Sequence, residues 1–195
     1  MAAMFQSVCV YCGSSSNAVE LYFEAARETG RILAQRRMTL IYGGARVGLM
    51  GALADAALRA GGRVEGVIPR ALVEKEVAHS GLSALHVVES MHDRKALMTE
   101  LAGAFLALPG GFGTLDELFE TLTWAQLRFH AKPIGLLNAG GYFDGLLTFC
   151  DRAVSDGFIH PAHRAMIRTG TDPEALLDEM SGPLPPDPGK WWTRA

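Results

Sequence analysis

The sequence predicts an α/β protein with a three-layer, Rossmann-like fold built around a mainly parallel central sheet. Short apolar runs alternate along the chain with longer segments whose apolar residues recur at helical spacing. Strict alternation of this kind is typical of βαβ units, in which helices cover both faces of the sheet. The strand candidates are apolar almost throughout, as expected of strands that are buried on both faces.

The predicted strands are short runs of mostly β-branched, aromatic or leucine residues, and the third of them is terminated by the proline that follows it, Pro69. In chain order they are SVCVYC (7–12), TLIY (39–42), RVEGVI (63–68), LHVV (85–88), FLAL (105–108) and PIGLL (133–137). Helices follow most of these strands. In the first helix, Leu21, Ala25 and Ile32 recur at helical spacing, and the second helix is rich in alanine. The helices are predicted at residues 17–36, 48–60, 91–101, 114–128 and 141–156.

A single catalytic domain is predicted for residues 1–180, followed by a tail at residues 181–195. The chain has 195 residues, of which 49% are apolar and 20% charged, and both fractions are typical of one globular domain. Residues 182–189 (GPLPPDPG) contain four prolines and two glycines, a composition that favours a tail over a packed element.

Composition also excludes several classes of function. A net charge of -3 argues against a nucleic-acid or anionic membrane partner, and no apolar run reaches the ~20 residues of a membrane span. The N-terminal segment lacks the features of a signal peptide. The three cysteines are too sparse for a disulfide scaffold, and Cys9 and Cys12 fall within a predicted strand as buried small residues. A cytoplasmic location is therefore expected.

The unusual residues fall in turns that follow predicted strands. The carboxyl ends of parallel strands meet at one edge of a sheet, which is where such folds bind ligands. We therefore expect the turns after strands one, two, four and five to converge on one site. These turns are GSSSN (13–17), GGARVG (43–48), SMHDRK (90–95) and PGGFGTLDE (109–117).

The last of these turns suits a phosphate group. Glycine lets backbone N–H groups approach a ligand closely, and the start of a helix offers unpaired donors with a positive dipole end. A structural alternative stays open, because Thr114-x-x-Glu117 also matches a capping box. The dinucleotide fingerprint fails at Asp116, where it needs glycine, and no P-loop, HExxH or GxSxG motif is present.

Arg94 and Lys95 strengthen the prediction of an anion site. If Ser90 caps the helix that begins at residue 91, both cations lie near its first turn, where the dipole disfavours each by ~0.3–1 kcal/mol. A bound anion would offset this unfavourable interaction with the dipole. The alternative interpretation is a solvated Arg-Lys pair. Arginine cannot exchange protons at ordinary pH, so Glu117 is the better candidate for charge stabilisation or water activation. His92 is expected to lie on the surface.

These residues carry a family resemblance. PGGFGTLDE is an instance of PGGxGTxxE, and residues 91–95 match a Met-x-x-Arg-Lys segment. With YGG (42–44), GLMG (48–51) and TWAQ (123–126), the chain resembles the Lonely Guy (LOG) family from about residue 6 to residue 180. This is the cytokinin-activating family, often misnamed lysine decarboxylases. A decarboxylase would usually require a pyridoxal-type electron sink, and an Arg-Lys pair does not suit a diamine substrate.

The resemblance implies a cytokinin riboside 5'-monophosphate phosphoribohydrolase, which hydrolyses the N-glycosidic bond of N6-modified AMP without a cofactor or metal. Family members are commonly homodimers with sites close to the subunit interface, and a face containing Thr121, Trp124 and Arg128 is a candidate partner surface. A broader AMP nucleosidase and a non-catalytic nucleotide or cofactor carrier remain alternatives. The implied catalytic pair is Arg94 and Glu117. The implied substrate-binding residues are Ser14, Gly43, Gly44, Glu76, Arg94, Lys95, Gly110, Gly111, Phe112, Gly113, Thr114, Leu115, Asp116, Glu117 and Thr123.

Overall fold

The computed structural model describes residues 5–73, 75, 77–186 and 189, and the elements below lie within them. The strands are β1 (Ser7–Tyr11), β2 (Thr39–Tyr42), β3 (Val64–Pro69), β4 (Ala84–Val88), β5 (Ala104–Ala107), β6 (Ile134–Leu137) and β7 (Ile167–Gly170). The helices are α1 (Glu20–Gln35), α2 (Gly48–Arg59), α3 (Arg70–Val73), α4 (Met91–Leu101), α5 (Phe112–Gln126), α6 (Asp144–Ser155), α7 (Pro161–Arg164) and α8 (Pro173–Met180). A short 3-10 turn, Ala139–Gly141, precedes α6.

The strands form one sheet in the order β4-β3-β2-β1-β5-β6-β7, and every strand pairing within it is parallel. The α/β class and the parallel sheet predicted from the sequence are confirmed. From β1 the chain moves outward through β2 to β4, and from β5 it moves outward in the other direction. The order therefore changes direction between β1 and β5, the place at which open α/β sheets bind ligands.

Apolar side chains cover both faces of the sheet. Along β2, Leu40 and Tyr42 face one core together with helices α1, α2 and α8, whereas Ile41 faces the other core together with α4 and α5. This alternation follows from the period of two along a strand. Helices α1 and α2 approach closely at Gly30, where an added Cβ would lie 2.3 Å from the backbone oxygen of Leu53.

The structure adds elements that the sequence analysis did not predict. Strand β7 was missed because its sequence, IRTG, is short and only half-buried. Helix α8 was missed although its start is capped, since the side chain of Asp172 accepts a hydrogen bond from the N–H group of Ala175. Among the described residues, no helix combines the length and the apolar character needed to cross a membrane.

Candidate active site

Four strand-to-helix turns converge on one cleft at the carboxyl edge of the sheet, as predicted. The turns after β1 and β5 are joined directly, because the N–H group of Gly13 donates to the carbonyl of Pro109 at 3.0 Å. The N–H group of Leu49 in turn donates to the carbonyl of Gly13 at 3.0 Å, which brings in the turn after β2. The cleft is lined by Val10, Cys12, Gly13, Ser14, Gly43, Met50, Met91, Arg94, Gly111, Phe112, Gly113, Thr114, Asp116 and Glu117.

The start of α5 presents backbone donors to this cleft. Gly111 is the N-cap residue and provides no side chain to cap the helix, whose first internal hydrogen bond runs from the N–H group of Leu115 to the carbonyl of Gly111 at 3.1 Å. The N–H groups of residues 112–114 thus lie in the first turn, where a helix has no internal acceptors for them. A Cβ added at Gly111 or Gly113 would meet nothing within 4 Å, so an anion can approach the backbone.

The capping-box interpretation of the same residues is wrong. Helix α5 begins two residues earlier than predicted, so Thr114 is a buried residue inside the first turn and not the N-cap. Glu117 does not reach back to the backbone of residue 114. Its carboxylate instead faces Arg94 in the cleft, which leaves it available for chemistry.

Arg94 is buried in the wall of the cleft and held from several sides. Ser90 caps α4 as predicted, with its hydroxyl oxygen accepting from the N–H group of Asp93 at 3.0 Å. Arg94 Nε then donates to the carbonyl of Val67 at 3.1 Å, and Nη1 lies 3.5 Å from Glu117 Oε1. The Arg94 guanidinium therefore lies next to the Glu117 carboxylate, although Arg94 belongs to α4 and Glu117 to α5.

Gly43 makes room for this guanidinium. A Cβ added at Gly43 would lie 1.9 Å from Arg94 Nη2 and 2.5 Å from Met50 Cε, so no other residue fits without displacing them. Gly44 faces the other way. An added Cβ there would lie 3.1 Å from the side chain of Ile68, and Gly44 adopts a positive φ of 74° that favours glycine.

Burial dominates the electrostatics of Glu117. Removal from water raises the pKa of the Glu117 carboxyl to about 7, while the Arg94 guanidinium pulls it down and the charge of Asp116 raises it further. Near neutral pH both protonation states are therefore populated, which is what an acid–base group requires.

Lys95 takes a different position from Arg94. Its ammonium group lies 3.1 Å from Asp116 Oδ2 and 3.1 Å from Glu120 Oε1, so it joins α4 to α5 by ion pairs. The interpretation of residues 94 and 95 as a solvated pair is therefore wrong, since Arg94 is buried and Lys95 is ion-paired. His92 is exposed on the surface, as expected.

The remaining predicted site residues are spread around the cleft. Phe112 stands at its mouth and is 94% exposed. Leu115 and Thr123 lie instead in an adjoining open groove on the outer face of α5, together with Phe119 and Trp124. Gly110 packs behind the turn, and Glu76 lies outside the described residues.

Some residues lie where the sequence did not predict them. Thr121 does not belong to an exposed face, because it is buried and its hydroxyl is 2.9 Å from that of Tyr11. Cys12 is buried as predicted, yet it also lines the cleft. Burial and the nearby Glu117 carboxylate raise the pKa of the Cys12 thiol, so it stays protonated and is not a nucleophile. Met50 and Met91 also line the cleft. Their positions within the GLMG (48–51) and Met-x-x-Arg-Lys (91–95) motifs could have indicated this from the sequence.

Comparisons with known proteins find relatives that match most of the chain. The sequence model of a family described as "Possible lysine decarboxylase" matches residues 50–180. The Arabidopsis thaliana protein named cytokinin riboside 5'-monophosphate phosphoribohydrolase LOG5 is 45% identical over 185 residues, which are 95% of this chain and 81% of that protein. A Rhodococcoides fascians protein named cytokinin riboside 5'-monophosphate phosphoribohydrolase is 48% identical, covering 91% of this chain and 90% of its own.

A solved structure with a different function has the same fold. The molybdenum cofactor carrier protein of Chlamydomonas reinhardtii superposes with a TM-score of 0.69, covering 89% of this chain and 94% of its own. Its sequence identity is 20%, so the likeness concerns the fold alone.

Proposed function

The chain belongs to the Lonely Guy (LOG) family, and we propose that it hydrolyses the N-glycosidic bond of cytokinin riboside 5'-monophosphates, releasing a free base and ribose 5-phosphate. The names of its relatives support this class of substrate. The observation that carries the proposal is the 3.5 Å approach of Arg94 Nη1 to Glu117 Oε1 beside the open start of α5. A phosphate-binding helix end and a buried acid–base carboxyl thus lie in one cleft.

In this mechanism the 5'-phosphate binds at the start of α5. The backbone N–H groups of residues 112–114 donate to its oxygens, and the helix dipole together with Arg94 neutralises its charge. The phosphate does not react, so its binding energy can orient the ribose above Glu117. Ser14, Gly43 and Asp116 complete the wall that we assign to the nucleotide.

Glu117 acts on the sugar. When the C1'–N9 bond breaks, its electron pair leaves with the base, and positive charge develops on the ribose. The Glu117 carboxylate stabilises that charge and accepts a proton from the water that attacks C1'. The departing base takes a proton from solvent, and Glu117 afterwards returns the proton of the attacking water to solvent, so one water is consumed and the products are the free base and ribose 5-phosphate. A guanidinium in this cleft would repel a diamine, which argues against lysine decarboxylation.

We also propose that the protein is a homodimer. The outer face of α5 exposes Phe112 and Phe119 next to Leu115 and Trp124, which is an apolar surface adjoining the cleft. Thr123 of α5 lies in the same groove, so a second copy placed on this surface would cover it. A cytoplasmic location is also proposed, because Cys9, Cys12 and Cys150 are free and buried, as expected in a reducing compartment.

One assay separates this proposal from its alternatives. The protein is incubated with isopentenyl-AMP and with AMP, and the free base is measured by chromatography. Release from isopentenyl-AMP alone or at a much higher rate supports the proposal, whereas equal rates indicate a broader AMP nucleosidase. Tight nucleotide binding without release of base from either compound would leave a carrier. Glu117→Gln should abolish release while sparing binding, and unchanged turnover would contradict its role.

A further inference from the structure

Tyr142 touches the glycine turn from outside the cleft. It follows the 3-10 turn before α6, and its hydroxyl donates a hydrogen bond to the carbonyl of Gly110 at 2.7 Å. Tyr142 does not line the cleft and belongs to none of the motifs that carry the family resemblance. The bond nevertheless falls on the peptide group that leads into the start of α5.

The geometry of that peptide links Tyr142 to the cleft. In a trans peptide the C=O and N–H bonds point in opposite directions, and the described residues contain no cis peptide. The Gly110 carbonyl points to Tyr142, so the N–H group of Gly111 points away from Tyr142. Gly111 lines the cleft, whereas Gly110 is packed behind it against Thr114 and Gly13.

We propose that Tyr142 is a positioning residue that fixes the Gly110–Gly111 peptide so that its N–H group donates to a ligand phosphate. This inference rests on the proposed function for the identity of the ligand. A peptide between two glycines rotates more freely than any other, so it needs an external constraint. The preceding carbonyl, of Pro109, is already held by the N–H group of Gly13, and the bond from Tyr142 constrains the next peptide.

The ring of Tyr142 is held independently of its hydroxyl. It packs edge-on against Tyr22, with ring centroids 5.3 Å apart, and against Phe143 at 5.1 Å. The side-chain oxygen of Asn138 accepts from the N–H group of Phe143 at 2.7 Å, which fixes the turn below the ring. Tyr142→Phe therefore removes the hydrogen bond and keeps the packing. Tyr22→Phe is a matched control, because it removes a neighbouring hydroxyl that makes no such bond to the turn.

The test measures binding of ribose 5-phosphate by calorimetry and follows the Gly111 amide by NMR in isotope-labelled protein. In the parent protein, the ligand should shift the Gly111 amide resonance as its N–H group engages the phosphate. Tyr142→Phe should weaken binding by about three- to tenfold, the effect of one lost hydrogen bond, and should reduce that shift. It should raise KM for the nucleoside monophosphate with kcat retained, and leave binding of the phosphate-free nucleoside unchanged. Tyr22→Phe should behave like the parent.

Other outcomes separate this role from the proposed reaction. Parent-like affinity for ribose 5-phosphate in Tyr142→Phe, or equal weakening of the phosphate-free nucleoside, overturns the inference. An unshifted Gly111 amide in the parent at saturating ligand does so too. If Tyr142→Phe weakens ribose 5-phosphate and the parent hydrolyses no nucleotide, the proposed reaction fails and the role of Tyr142 stands.

Discussion

Replacing Gly43 by alanine should disable the cleft by displacing the Arg94 guanidinium. The added Cβ would lie 1.9 Å from Arg94 Nη2, at least about 1.5 Å closer than an ordinary contact. The guanidinium must therefore move by about that distance relative to Glu117 Oε1, from which Nη1 is now 3.5 Å away. A displacement of about 1 Å in a catalytic constellation can reduce the rate about 100-fold, so we expect a loss in kcat/KM of that order.

The assay is release of free base from isopentenyl-AMP, measured in a double-mutant cycle. In an Arg94→Ala background, Gly43→Ala should have little further effect, because the guanidinium is gone and Met50 Cε, the other atom that the Cβ would displace, is the end of a flexible side chain. Gly145→Ala in α6 is the control for a glycine replacement, since its Cβ would meet nothing within 4 Å. An equal loss in both backgrounds, or full activity of Gly43→Ala, would refute the argument.

Three further predictions concern Glu117 and the outer face of α5. Because the ionised carboxylate is the proposed active form and its pKa is raised to about 7, kcat/KM should rise with pH through an inflection near 7; a falling profile would contradict this. The Glu117 carboxyl binds its proton more tightly in the folded protein than in the unfolded chain. Relative to Glu117→Gln, the free energy of unfolding should therefore fall by up to about 3 kcal/mol between pH 4.5 and pH 8, as measured by denaturant titration. If the unfolding free energies of the parent and of Glu117→Gln change with pH in parallel, the raised pKa of Glu117 is excluded. Trp124→Asp should convert a dimer to monomer in light scattering, whereas Phe158→Asp, which replaces an exposed aromatic on another part of the surface, should not. A dimeric Trp124→Asp would place the interface elsewhere.

Much of the fold could be predicted from the sequence because its signals are local. Strand β2 and helix α4 have the predicted bounds, since an apolar run and a serine cap define them. Strand β7 could not be found in this way, because Arg168 interrupts its apolar pattern and its pairing with β6 is a long-range contact. Convergence of the turns was also predictable, since parallel strands direct all their carboxyl ends to one edge.

The contacts that organise the site could not be read from local patterns. Nothing in the sequence near Gly43 indicates that the space a side chain would occupy there is taken by Arg94, a residue of α4. The capping-box match at Thr114 was misleading for the same reason. Local sequence allows Glu117 to cap a helix, and only the packing of α4 against α5 turns it towards Arg94.

The balance of charge explains why the cleft suits an anion in a protein of net charge -3. Burial holds the Glu117 carboxyl partly protonated near neutral pH, so it neutralises the neighbouring guanidinium incompletely. Asp116 and Glu120 are meanwhile ion-paired with Lys95, which offsets part of their negative charge. The guanidinium is left beside the positive end of α5, and the two fields add where the phosphate is proposed to bind. A dianion there would complete the charge balance of Arg94 and offset its unfavourable interaction with the dipole of α4.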